Sequence, residues 1–124
     1  MNKNKILIVE DEGIQAMNTK LTLLRMGFEV LPIAMSGKSA VELAKRYKPD
    51  LVLMDIRLRG SMDGIEAARI IIDNSHTPVI FVSAYADEQT MQRAQSTSFV
   101  AFLEKPVEEA LLGLKIREAL DTIP

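Results

Sequence analysis

At 124 residues the chain has the length of one domain, and with 48% apolar residues it can bury a core without metal or disulfide staples. It has no cysteine, which excludes thiolate metal sites and a disulfide framework and fits a reducing compartment. A net charge of −2 gives no basis for direct nucleic-acid binding, no apolar run reaches membrane-spanning length, and the start, Met1 to Lys5, lacks a secretory layout; the expectation is a soluble, cytoplasmic domain with no membrane partner.

Ile6-Leu7-Ile8-Val9 is a short apolar run that ends in acid, Glu10-Asp11-Glu12, and reads as a first strand. A helical pattern follows with Ile14, Met17, Leu21 and Leu24 on one apolar face and Gly27 as a left-handed cap. Phe28 to Ala34 is the next strand, and Pro32 within it, which cannot donate to a ladder, predicts a sheet edge. Ser36 caps a second helix carrying Val41, Leu43, Ala44 and Tyr47, in which Glu42 and Arg46 have the spacing of a surface ion pair. Gly37-Lys38-Ser39 looks like the tail of a phosphate-binding P-loop, but that motif's first glycine would fall at Pro32, so these residues read as a helix start.

Leu51-Val52-Leu53-Met54 is an unbroken apolar run, the mark of a strand covered on both faces, and Asp55 follows at its carboxyl end. A loop from Ile56 to Met62 leads to Asp63-Gly64 and a helix over 65–72. Val79 to Val82 is a fourth strand, ending at Ser83. The helix over about 87–96 has few apolar residues beyond Met91 and Ala94 and should be the least firmly packed element. Phe99 to Leu103 is the last strand, ending at Glu104-Lys105-Pro106. A final helix over about 107–120 has Glu108 and Glu109 in its first turn, where the dipole favours acids. Strands alternating with helices in this way predict right-handed crossovers and a doubly wound α/β domain with a parallel sheet.

In such a sheet ligands sit at the carboxyl ends of the strands, where Glu10, Asp11, Asp55, Ser83 and Lys105 would gather. Carboxylates brought close together repel, and a hard divalent cation with oxygen ligands relieves the repulsion. A lysine and a hydroxyl suit phosphate oxygens, and neither is needed merely to bind a metal. A carboxylate beside a metal, a lysine and a hydroxyl is arranged to attack phosphorus and form an aspartyl-phosphate.

Taken in order, Glu10-Asp11, Asp55, Ser83-Ala84 and Lys105-Pro106 resemble the residues of receiver domains of two-component response regulators, the chemotaxis-regulator-like family. The resemblance covers essentially the whole chain, so residues 1–124 are expected to form a single receiver domain. It implies a flavodoxin-like (βα)5 fold with a five-stranded parallel sheet in the order 2-1-3-4-5. It implies that Asp55 accepts a phosphoryl group from the phosphohistidine of a sensor histidine kinase or phosphotransfer protein, in a self-catalysed transfer followed by slow autodephosphorylation. Glu10, Asp11, Asp55 and the backbone carbonyl of Arg57 would hold Mg2+ (or Mn2+). Ser83, the Ala84 backbone and Lys105 would bind the phosphoryl oxygens, and the Lys105–Pro106 peptide would be cis. Ser83 and Phe102 would be the switch residues. They would act on the face made by the fourth helix, fifth strand and fifth helix, which meets an output domain or protein, or a second copy in a phosphorylation-dependent homodimer.

The chain departs from the family pattern at several points. Arg59 stands where a proline is usual, and the loop before Met62-Asp63-Gly64 is one residue longer. Ser83 replaces the commoner threonine and Phe102 the commoner tyrosine. The alternative reading is a degenerate receiver that serves only as a protein-docking module, against which the intact acids, hydroxyl and lysine speak. A flavodoxin-like FMN binder is disfavoured by the acids after the first strand, and a haloacid-dehalogenase-type phosphatase by Arg57, which stands where its second aspartate is required.

Overall fold

The computed structural model describes residues 3–121, so Met1 and Asn2 of the expected lead-in lie outside them. Strands and helices alternate along the chain: β1 (Lys5–Val9), α1 (Gly13–Arg25), β2 (Glu29–Val30), α2 (Gly37–Tyr47), β3 (Leu51–Met54), α3 (Gly64–Ser75), β4 (Val79–Ser83), α4 (Glu88–Ala94), β5 (Ala101–Glu104) and α5 (Glu109–Asp121). All strand pairs are parallel, in the order β2-β1-β3-β4-β5. The chain leaves β1 for one side of the sheet and returns as β3 on the other, which opens a crevice at their carboxyl ends.

Period-2 alternation divides the core between the two faces. Leu7, Val9, Val52, Met54, Val79 and Phe81 pack with Ala40, Ala44, Ala67, Ala68, Ile71 and Ala94 from α2, α3 and α4. Ile6, Ile8, Leu51, Leu53 and Ile80 pack with Leu23 of α1 and with Leu112, Ile116 and Ala119 of α5. Every residue of β3 is therefore buried, as its unbroken apolar run requires. No helix among the described residues is long and apolar enough to cross a membrane.

The expected strand over 28–34 is interrupted. Glu29 and Val30 pair with Lys5 and Ile6, and beyond Pro32 only an isolated bridge joins Ala34 to Val9. The proline lacks the N–H that a continuous ladder needs, and the strand lies at the sheet edge, where that loss is tolerated. α5 begins at Glu109, which leaves Glu108 just outside the helix, and β5 begins at Ala101. Arg46 lies over the ring of Tyr47, its guanidinium carbon 5.5 Å from the centroid, and makes no ion pair with Glu42. The caps at Ser36 and Gly27 are present: Ser36 Oγ accepts from the Ser39 amide at 3.0 Å, and Gly27 has φ +93°.

The largest departure concerns α1. Its apolar stripe faces outward, with Ile14 81% exposed and Met17, Leu21 and Leu24 each close to half exposed. Ala16 and Leu23 face the sheet instead. Periodicity identified a helix with an apolar face but not the face that docks. The small side chain of Ala16 lets the helix approach β1 closely, where a bulky stripe would hold it away.

Candidate functional site

Three backbone contacts set the floor of the site. The Asp55 amide donates to the Val9 carbonyl at 3.0 Å, which holds the end of β3 beside the Glu10-Asp11 pair. The Glu10 amide donates to Ala34 at 2.9 Å, and the Lys105 amide to Ser83 at 2.9 Å. On the far side of Asp55, α3 approaches so closely that a Cβ built on Gly64 would lie 1.9 Å from the Asp55 carbonyl oxygen. The Gly64 amide donates to Ile56 at 2.7 Å, and Asp63 caps α3 by accepting from the Glu66 amide at 3.0 Å.

The side chains converge as the sequence implies. Carboxylate oxygens of Glu10, Asp11 and Asp55 all lie within 4.8 Å of one another. Lys105 Nζ lies 2.8 Å from Glu10 Oε1 and 3.1 Å from Asp55 Oδ2, across a cis Lys105–Pro106 peptide. Burial raises the Asp55 carboxyl, and the nearby Glu10 carboxylate raises it further; together they outweigh Lys105, and the group is pushed up to about 6. Burial alone would lower the Lys105 ammonium, but hydrogen bonds and attraction to Glu10 and Asp55 prevail and hold it above its ordinary value. When all three acids are ionised, the Lys105 ammonium and the largely exposed Arg59 guanidinium, 3.8 Å from Asp11, still leave net negative charge in a cluster of hard oxygen donors. That donor set and that charge fit a magnesium ion.

The remaining predicted residues frame the mouth. Ser83 is fully buried at the end of β4, its Oγ accepting from the Tyr85 amide at 3.1 Å. Ala84 is exposed and lines, with Glu10, Asp55 and Lys105, one end of a groove that runs between α1 and α5. The Arg57 side chain lies outside the acid cluster: its guanidinium carbon stacks 3.6 Å from the Tyr85 ring centroid, tying the loop after Asp55 to the loop after Ser83. Phe102 packs against the core, its ring 6.0 Å from Phe81 and 6.4 Å from Phe99. Lacking a hydroxyl, its side chain is held there by apolar packing.

Two participants escaped sequence reasoning. Gln15 Oε1 accepts from Lys105 Nζ at 2.8 Å. Its position three residues after Glu12, in the first turn of α1, is the signal that could have found it. Arg59 donates its amide to Asp11 Oδ2 at 3.0 Å, and its Nε lies 3.8 Å from the same oxygen. The amide contact exists because this position is not proline.

The site is thus three acids and a lysine at the switch point of a doubly wound parallel sheet. The family model "Response regulator receiver domain" matches residues 6–117, and the chain belongs to this family. It is 36% identical over 102 residues to the transcriptional regulatory protein PdtaR of Mycobacterium tuberculosis H37Rv, covering 82% of this chain and 49% of that protein. It is 37% identical over 119 residues to a protein-glutamate methylesterase/protein-glutamine glutaminase of Natronomonas pharaonis, covering 93% of this chain and 33% of that protein. The chain thus spans half or less of the length of these relatives. Among solved structures, it matches the receiver domain of a modulated diguanylate cyclase from Desulfovibrio desulfuricans G20 with a TM-score of 0.92 at 33% identity, over 97% of this chain and 95% of that one. It also matches the receiver domain of the sensor histidine kinase PA1611 from Pseudomonas aeruginosa PAO1, which holds a magnesium ion in its active-site cleft, with a TM-score of 0.88 at 27% identity, over 98% of this chain and all of that one. Membership of this family places the chain in phosphorylation-based two-component signalling.

Proposed function

We propose that the chain, over residues 1–124, is a single cytoplasmic receiver domain that takes a phosphoryl group onto Asp55 from the phosphohistidine of a sensor histidine kinase or phosphotransfer protein. The observation that carries this reading is the ammonium of Lys105, 3.1 Å from Asp55 Oδ2 within a cluster of three acids. In the transfer the histidine N–P bond breaks as an Asp55 oxygen bonds to phosphorus, and the imidazole keeps the electron pair. A magnesium ion held by Glu10, Asp11, Asp55 and the Arg57 carbonyl would supply charge neutralisation to the phosphoryl oxygens. Lys105, the Ser83 hydroxyl and the Ala84 amide would bind those oxygens. Ser83 reaches them by giving up its contact with the Tyr85 amide, and α4, with only Thr90 and Ala94 buried, moves at low cost.

Magnesium with acetyl phosphate or beryllofluoride tests this directly. We expect a covalent phosphoryl adduct by mass, and amide shifts at Ser83 and Phe102, in the native chain and neither in Asp55→Asn. A native chain that binds magnesium but takes up no phosphoryl group would instead support the docking-module reading.

The outward stripe of α1 begins three residues beyond Asp11 and so runs continuously from the acid cluster. A helix of the phosphohistidine donor is the occupant that this position favours, since its histidine must reach Asp55. Leu21→Glu together with Met17→Glu should slow phosphorylation by a protein donor at least tenfold while leaving acetyl phosphate labelling unchanged. Equal loss with both donors would refute the docking role.

A further inference from the structure

We propose that Gln15 is a positioning residue for Lys105, a neutral acceptor that keeps the ammonium at the mouth of the acid cluster when its carboxylate partners are engaged elsewhere. This rests on the phosphoacceptor reading above.

Lys105 Nζ has three protons and three acceptors: Glu10 Oε1 at 2.8 Å, Gln15 Oε1 at 2.8 Å and Asp55 Oδ2 at 3.1 Å. Two of the three are carboxylates that also belong to the oxygen set able to hold a divalent cation. A cation on those carboxylates shares their charge and repels the ammonium. The Gln15 amide oxygen lies outside that set and carries no net charge, so it keeps its hold. The lysine is then tethered at one point and free to exchange its carboxylate contacts for phosphoryl oxygens.

The amide is itself oriented. Gln15 Nε2 donates to Glu12 Oε2 at 2.8 Å, and the Glu12 amide donates to Glu10 Oε2 at 3.2 Å. A flipped amide would set its NH2 group against the ammonium and its oxygen against the Glu12 carboxylate, and both contacts are repulsive. Gln15 sits in the first turn of α1, so its acceptor is carried by a helix rather than a loop. A lysine has four flexible side-chain torsions, and a fixed acceptor limits the region its ammonium explores.

The test uses the full chain with Gln15→Met, which keeps length but has no comparable acceptor, and Gln15→Glu, which keeps an oxygen but loses the amide's neutrality and its donor to Glu12. Without metal or phosphoryl analogue, the nitrogen-15 signal of the Lys105 ammonium should be resolved in the native chain and broadened by faster exchange in Gln15→Met. With magnesium, beryllofluoride affinity should fall about fivefold in Gln15→Met, the loss of roughly one hydrogen bond, and should not be restored by Gln15→Glu. The proposal is overturned if Gln15→Met leaves both the ammonium signal and beryllofluoride affinity unchanged, or if Gln15→Glu binds beryllofluoride as tightly as the native chain. Should the native chain itself fail to take up beryllofluoride, the phosphoacceptor reading falls, while the metal-free ammonium signal still decides the role of Gln15.

Discussion

Gly64→Ala should lose about 3 kcal/mol or more of folding stability, and with it the position of the Asp55 backbone. Helix propensity predicts the opposite sign, since alanine in place of glycine ordinarily gains up to about 1 kcal/mol within a helix. Space decides the matter. The added Cβ would meet the Asp55 carbonyl oxygen at 1.9 Å and the Asp55 carbonyl carbon and Ile56 Cα at 2.8 Å each. These are backbone atoms at the end of a central strand, and no rotamer change can relieve them. Either α3 lifts from the sheet, losing part of the packing of Ile65, Ala68 and Ile71, or the Asp55 backbone shifts. Gly13 is the matched control, because a Cβ there has no neighbour within 4 Å. Urea unfolding of the two alanine variants should show a large fall in midpoint for position 64 and none for position 13. Equal midpoints would mean that the contact at Gly64 is not the constraint described.

Asp55→Asn should abolish phosphoryl uptake and, at neutral pH, make the protein more stable. The second effect follows from the raised carboxyl. Its folded value of about 6 lies above the ordinary 3.8, so the folded state binds the proton more tightly than the unfolded chain. The stability this confers is fully present below about pH 4 and is lost as pH rises through about 6. Above that, the native protein keeps a half-buried carboxylate facing Glu10, and the asparagine variant does not. The variant should therefore melt several degrees above the native chain at pH 8, with the difference gone or reversed at pH 4. Magnesium relieves the same repulsion, so it should raise the native melting temperature at pH 8 and lose that effect as a proton takes Asp55 below about pH 6. A native chain whose melting temperature responds equally to magnesium at pH 5 and pH 8 would contradict this assignment of the raised group.

Much of the site was legible because it is written as strand endings. An apolar run followed by a charged or hydroxyl residue marks both a buried strand and the place where that strand meets solvent, and a parallel sheet brings such endings to one rim. Glu10, Asp11, Asp55 and Lys105 converge for that reason. Residues that join the site from helices and loops carry no comparable mark. Gln15 sits among polar residues of α1, and its role exists only because the end of β5 lies across from that helix. The Arg59 amide belongs to every residue except proline, and only the path of the loop directs it to Asp11.

The order of apolar runs, acids and turn residues by itself determined the alternation of strands and helices, the edge position of the proline-containing strand and the identity of the acid cluster, because each is a local or periodic property of the chain. The tertiary structure alone decided that the stripe on α1 faces outward, that α3 presses on the Asp55 backbone, and that Lys105 has a third acceptor in Gln15. These depend on distances between segments far apart in sequence, which side-chain size and close packing set and no local pattern encodes.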